Sequence, residues 1–228
     1  MIVLGPSQRF VRAINRRRDG VRCDRCSEPL RRRHHHLVDL DGERLLCACQ
    51  GCSLLAAESV EGPYRIVPER VLQHPNLAPS MEQWGSFGIP LRLAFFVCLS
   101  RIGRWVAVMP SAAGATEIGL PQAAWSAFLR CSLPAQDILP DVEALLVRGA
   151  RGAPLEGYVV PIDLCYELVS LVRQTWRGPD GGELARVELD GFFERVRRRG
   201  ASGVRMQETP APPLALSQLA GSASSSSA

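Results

Sequence analysis

Two C-x-x-C pairs, Cys23/Cys26 and Cys49/Cys52, constrain this chain more than any other feature of its sequence. They are separated by 22 residues, close to the spacing of paired zinc knuckles. A C-x-x-C turn aims two thiolates at one point, and two such turns close a tetrahedron around a borderline-soft cation. Five of the eight cysteines and three of the four histidines lie between Cys23 and Cys52, so the chemistry is concentrated there. Cys23, Cys26, Cys49 and Cys52 are the expected ligands of one Zn2+. Cys47 is the first candidate for an additional or substitute place, followed by His34 and His36. Each group also has a plainer reading. The histidines can belong to a solvated Arg/His-rich strand, and the cysteines can be free buried thiols. An iron–sulfur cluster is the alternative metal group, since clusters also use four thiolates.

The segment between the knuckles suggests how the site is built. His34 to Leu40 and Glu43 to Cys49 are strand-like, and Asp41-Gly42 between them is a strong hairpin signal. A two-residue turn there sets Leu40 opposite Glu43, Asp39 opposite Arg44, Val38 opposite Leu45, Leu37 opposite Leu46, His36 opposite Cys47 and His34 opposite Cys49. Asp39 and Arg44 then form a cross-strand ion pair. With a period of two, His34, His36, Cys47 and Cys49 share one face. A helix-like run, Ser53 to Glu58, follows Cys52. Knuckle, hairpin and two ligands at a helix start make a treble clef, and the helix N-terminus favours thiolate over thiol.

Four segments are expected: a basic arm at 1–22, a cysteine-rich finger at 23–62, an α+β domain at 63–200 and an Ala/Ser/Pro tail at 201–228. All 27 basic residues are arginines. Residues 1–33 carry 10 of them against Asp19, Asp24 and Glu28, a net charge of +7, so the basic character belongs to the arm. Arg16-Arg17-Arg18 and Arg31-Arg32-Arg33 flank the first knuckle. They suit phosphate contacts on a nucleic-acid-binding finger, or docking of the arm on an acidic protein. Residues 7–18 are compatible with a short helix, and the tail has no periodicity and reads as disordered. No apolar run is long enough to span a bilayer or to serve as a secretory signal, which points to a cytoplasmic protein. In a reducing compartment clustered cysteines bind metal more often than they pair as disulfides.

In the α+β segment, Tyr64 to Val67 reads as a short strand and 68–90 as a long Pro/Gly-rich loop pinned by Trp84 and Phe87, with His74 solvated in it. Leu91 to Leu99 and Trp105 to Met109 form a central antiparallel hairpin buried on both faces. Pro110 to Glu117 reads as a turn of small residues. Gln122 to Arg130 is a helix, Val142 to Val147 is a strand or a helix, and Gly157 to Val160 is a strand feeding a helix over Ile162 to Trp176. The inner stripe of that helix is Cys165, Leu168, Val169, Val172 and Trp176. A last helix, Glu183 to Arg199, has Leu184, Val187, Phe192 and Val196 on one face and Gly200 as its stop. The sequence contains no G-x-S-x-G, P-loop, G-x-G-x-x-G or H-E-x-x-H, and no catalytic set is expected.

C-D-R-C, H-x-H-L-V-D and L-L-C-A-C-Q-G-C, with Y-R-I-V-P-E-R, P-S-A-A-G-A-T-E and V-P-I-D-L-C-Y-E-L-V further on, resemble an uncharacterised actinobacterial family. Genes of that family often lie in clusters encoding uptake [NiFe]-hydrogenases. The resemblance covers about Cys23 to Arg199 and implies a neighbourhood rather than a reaction. It favours a non-enzymatic, zinc-binding accessory or scaffold protein whose partner is a hydrogenase subunit or maturation factor. A nucleic-acid-binding regulator using the arginine arm is the alternative, and an iron–sulfur or metal-transfer protein using the surplus ligands is a second.

Overall fold

The computed structural model describes residues 22–59, 62–149, 152–178 and 181–203. The expected arm, apart from Arg22, and the tail from residue 204 lie outside these.

Within them the chain is mixed α+β. The strands are β1 (His35–Asp39), β2 (Arg44–Ala48), β3 (Tyr64–Ile66), β4 (Leu72–Gln73), β5 (Leu93–Leu99), β6 (Arg104–Ser111), β7 (Gly114–Ile118), β8 (Glu143–Gly149) and β9 (Leu155–Pro161). The helices are α1 (Gln50–Glu58), α2 (Met81–Ser86), α3 (Gln122–Cys131), α4 (Leu133–Gln136), α5 (Ile162–Thr175) and α6 (Gly182–Gly203). They build a three-stranded sheet of order β2-β1-β3 and a six-stranded sheet of order β4-β9-β8-β5-β6-β7. Every pairing among these strands is antiparallel.

Both faces of the six-stranded sheet are covered, and its strands are accordingly apolar at successive positions. Phe95, Val97, Val106, Val108, Leu146 and Val160 pack beneath α5 and α6. Ala94, Phe96, Ala107, Leu145, Val147 and Val159 pack against Trp84, Phe87, Trp125 and Phe128 on the other face. The period of two along β5 divides its side chains between these layers. Of Val142 to Val147, ambiguous in sequence, Glu143 to Val147 falls in β8, which pairs with β5 and β9. On the α5 side the core also takes in Val38 and Leu45, so the small sheet rests on the same layer as the two long helices.

Several sequence expectations are revised. The segment 68–90 is not one long loop: it holds β4, a 3-10 turn at Pro75–Leu77 and α2. A capping box between Ser80 and Gln83 starts α2 despite the surrounding prolines. His74 is the N-cap of the 3-10 turn, its Nδ1 accepting from the Asn76 amide at 3.1 Å. Pro110 to Ile118 continues the sheet, with β6 pairing to β7 as far as Ser111 opposite Gly114. In α6 the buried side is Ala185, Phe192, Phe193 and Val196, while Leu184 and Val187 are exposed. Gly200 does not end α6. It lies buried within the helix beside Gln73 and Val71.

Gly157 is a sharper case of close approach. A Cβ there would run into the backbone carbonyl of Leu77. Backbone cannot swing aside as a side chain can, so Gly157→Ala is expected to destabilise by about 3 kcal/mol. Thermal melting should show it as a fall of several degrees, at roughly 2–4 °C per kcal/mol for a chain of this size.

Candidate metal centre

The β1–β2 hairpin has the register expected from the sequence, including His36 opposite Cys47 and Asp39 opposite Arg44. Its loop differs. Leu40 to Glu43 form a four-residue turn, and the left-handed residue is Glu43 (φ 48°), not Gly42. Asp39 organises this turn. Its carboxylate is buried and accepts from the Gly42 amide and from Arg44 Nε, both at 3.0 Å. Gly42 is needed for closeness, since an added Cβ would lie 2.5 Å from Asp39 Oδ2.

The first knuckle is tied to β2. The Asp24 amide donates to the Cys47 carbonyl at 2.8 Å, and the Cys47 amide donates to Asp24 Oδ2 at 2.7 Å. Within the knuckle, Ser27 takes a left-handed conformation (φ 67°) that lets its amide reach the Cys23 carbonyl. The second pair begins where β2 ends. Cys49 is the N-cap of α1, and its Sγ accepts from the Cys52 amide at 3.4 Å.

Cys23, Cys26, Cys49 and Cys52 therefore converge, their four sulfurs all within 4.8 Å of one another. Cys26 Sγ and Cys49 Sγ are 3.6 Å apart. Cys23 and Cys52 are buried under Leu37, Leu46, Ala48 and Ala56, while Cys26 is exposed. Without a cation the four sulfurs cannot ionise together. For Cys23, burial is outweighed by hydrogen bonds from the backbone at Cys49, Cys26 and Arg25, and its thiol falls to about 6. Burial, with Cys26, Cys49 and Cys23 alongside, pushes Cys52 up to about 12. A set poised between thiolate and thiol in this way is one that a metal ion completes.

His34, His36 and Cys47 form a second group, again with donor atoms within 4.8 Å of one another. The sequence placed Cys49 on their face, but β2 stops at Ala48 and the turn into α1 carries Cys49 to the four-cysteine group. Alternation then separates the layers. Leu37, Leu46 and Ala48 face Cys23 and Cys52, and Val38 and Leu45 face the main body. His36 and Cys47 are on the face of Val38 and Leu45. There His36 meets Asp163 in the first turn of α5, with Nδ1 2.8 Å from Oδ2. Burial opposes a charge on His36, but Asp163 and then Cys47 outweigh it and raise the imidazole to about 9. Asp163 lies in the first turn of α5, where a carboxylate complements the helix dipole. Its partnership with a histidine 127 residues away has no local signal.

Cys98, Cys131 and Cys165 belong to neither group. Cys165 is fully buried in the core, as expected from the stripe of α5. Among the described residues no helix is long and apolar enough to cross a membrane.

The chain belongs to a family described as a family of unknown function (DUF5947), whose match spans residues 22–200 and so includes both clusters and Asp163. No curated protein and no solved structure matches it.

Proposed function

We propose that this member of the DUF5947 family is a zinc-binding, non-enzymatic accessory or scaffold protein of a metalloenzyme system, with Cys23, Cys26, Cys49 and Cys52 holding one Zn2+. The observation that carries the reading is the convergence of these four cysteines from a knuckle and a helix start. A tetrahedral ion with Zn–S bonds of about 2.3 Å sets its sulfurs about 3.8 Å apart. The Cys26–Cys49 separation of 3.6 Å suits that spacing. A multi-iron cluster spreads its thiolates over several metals and needs a wider set. Four protein ligands leave no open position, which fits a structural rather than a reactive ion.

In this reading the zinc fixes the hairpin, and the hairpin fixes the arginine-rich segment that precedes it. That segment, net +7 over residues 1–33, docks on an acidic protein surface. The sequence resemblance suggests a [NiFe]-hydrogenase subunit or maturation factor as the owner of that surface. Affinity purification from cells expressing the hydrogenase should recover such a subunit, and nuclease should not abolish recovery. Recovery should fall as salt rises, because exposed charges are screened within roughly 8–10 Å at physiological ionic strength. Salt also weakens DNA binding, so partner identity is the separating result. Normal hydrogenase assembly in cells lacking the gene, together with nuclease-sensitive recovery of DNA fragments, would replace this reading with that of a regulator.

A further inference from the structure

We infer that His34, His36 and Cys47 form a second metal site, separate from the four-cysteine centre, that takes a borderline divalent ion of the zinc and cobalt class and leaves one coordination position open.

The tautomers support it. His34 Nδ1 lies 3.0 Å from the carbonyl of Arg31, which can only accept, so Nδ1 carries the proton and Nε2 carries the lone pair. His36 Nδ1 donates to Asp163 Oδ2 at 2.8 Å, leaving Nε2, beside Cys47, as the nitrogen that would ligate. Ligating histidines are held this way, by a carbonyl or a carboxylate on the nitrogen that does not bind the metal. Asp163 is itself fixed, since its Oδ1 accepts from the Leu164 amide at 2.8 Å. It acts as a positioning residue and is not a ligand.

A plain polar cluster accounts for only part of this arrangement. His36 could simply bridge Asp163 and Cys47 as a charged imidazole. His34 has no such explanation: its Nε2 is buried and has no hydrogen-bond partner. A buried nitrogen without a partner is costly, and a bound cation would satisfy it. The two rings stand 4.8 Å apart, edge to face. All three side chains are half-buried, so an ion can reach them from solvent and still be partly shielded.

The donor set decides the class of ion. Two imidazoles and one thiolate suit zinc, cobalt and their neighbours in the transition series, and suit magnesium or calcium poorly. On binding, His36 Nε2 and Cys47 Sγ give up the protons they carry to solvent, and the metal–nitrogen and metal–sulfur bonds form without redox change. Three protein ligands leave a fourth position for solvent or for a donor from another molecule. Such an ion exchanges more readily than one closed in by four thiolates.

The test is a cobalt titration of the full-length protein with zinc already in the four-cysteine centre. One further equivalent of Co2+ should bind, with sulfur-to-cobalt absorption from a single thiolate. Cys47→Ala should abolish that absorption and His36→Ala should abolish the uptake, while one zinc and a cooperative melt are retained. Asp163→Asn should weaken cobalt binding about 10- to 100-fold, yet reach the same absorbance at saturation. Should His36→Ala lose its cooperative melt, Cys47→Ala decides, because it removes only a sulfur. Absence of thiolate-to-cobalt absorption in the zinc-loaded protein, or uptake that survives in the His34/His36/Cys47 triple alanine variant, overturns the second site. The zinc content of the same triple variant reports on the first site, so the two readings fail separately.

Discussion

Replacing Cys52 by Ser should release the proposed zinc and unfold the segment from Arg22 to about Glu58. The expected effect is large because little else holds that segment. Its own core is one small cluster around Cys23, Leu37, Leu46, Ala48, Cys52 and Ala56. Two of those residues are themselves members of the four-cysteine group. A structural zinc contributes about 10–16 kcal/mol of binding free energy in small fingers, far more than such a cluster can. The loss should spread to the main body, since Val38 and Leu45 leave the layer under α5 when the hairpin melts. Elemental analysis should find at least one zinc per chain in the wild type and one equivalent fewer in the variant. Limited proteolysis should cut first between residues 22 and 58. Iron with labile sulfide in protein purified without oxygen, or no metal at all, would contradict the zinc reading.

Arg70→Ala is expected to be the most damaging single change away from the cysteines. Glu143 begins β8 and has no solvent exposure. Arg70 reaches it from the segment between β3 and β4, donating from Nε at 2.5 Å and from Nη2 at 2.7 Å. The Leu139 amide also donates to Glu143, at 2.9 Å. Removing the arginine leaves a carboxylate buried without its counter-charge, at a cost of about 3–5 kcal/mol. Replacing both residues by apolar side chains of similar volume should cost much less, because the unpaired charge then disappears with its partner. Denaturant unfolding of the single and double variants measures the difference. If Arg70→Ala and the double variant lose the same stability, the penalty comes from lost packing and not from the stranded charge.

The site was more legible in the sequence than the body was, and the reason is the range of the signals. A C-x-x-C turn, an Asp-Gly step and a period of two are all local. They led to the four-cysteine group, to the β1–β2 register and to a helix beginning at the second cysteine pair. The apolar runs of β5 and β6 marked strands buried on both faces for the same reason. Local signals failed where a short element is held mainly by its neighbours. The surrounding prolines mask the capping box of α2, and small residues that let β7 turn tightly back on β6 mask that strand.

By itself the sequence determined that four cysteines could meet, that the chain is α+β, and which residues of the hairpin stand opposite one another. These follow from spacing, periodicity and turn chemistry within a few tens of residues. Tertiary structure alone decided which layer each hairpin face meets and that Asp163 holds His36. It also paired Arg70 with Glu143 and turned Leu184 and Val187 outward. Each of these depends on where a distant helix or strand comes to rest, and no pattern within a single segment encodes that position.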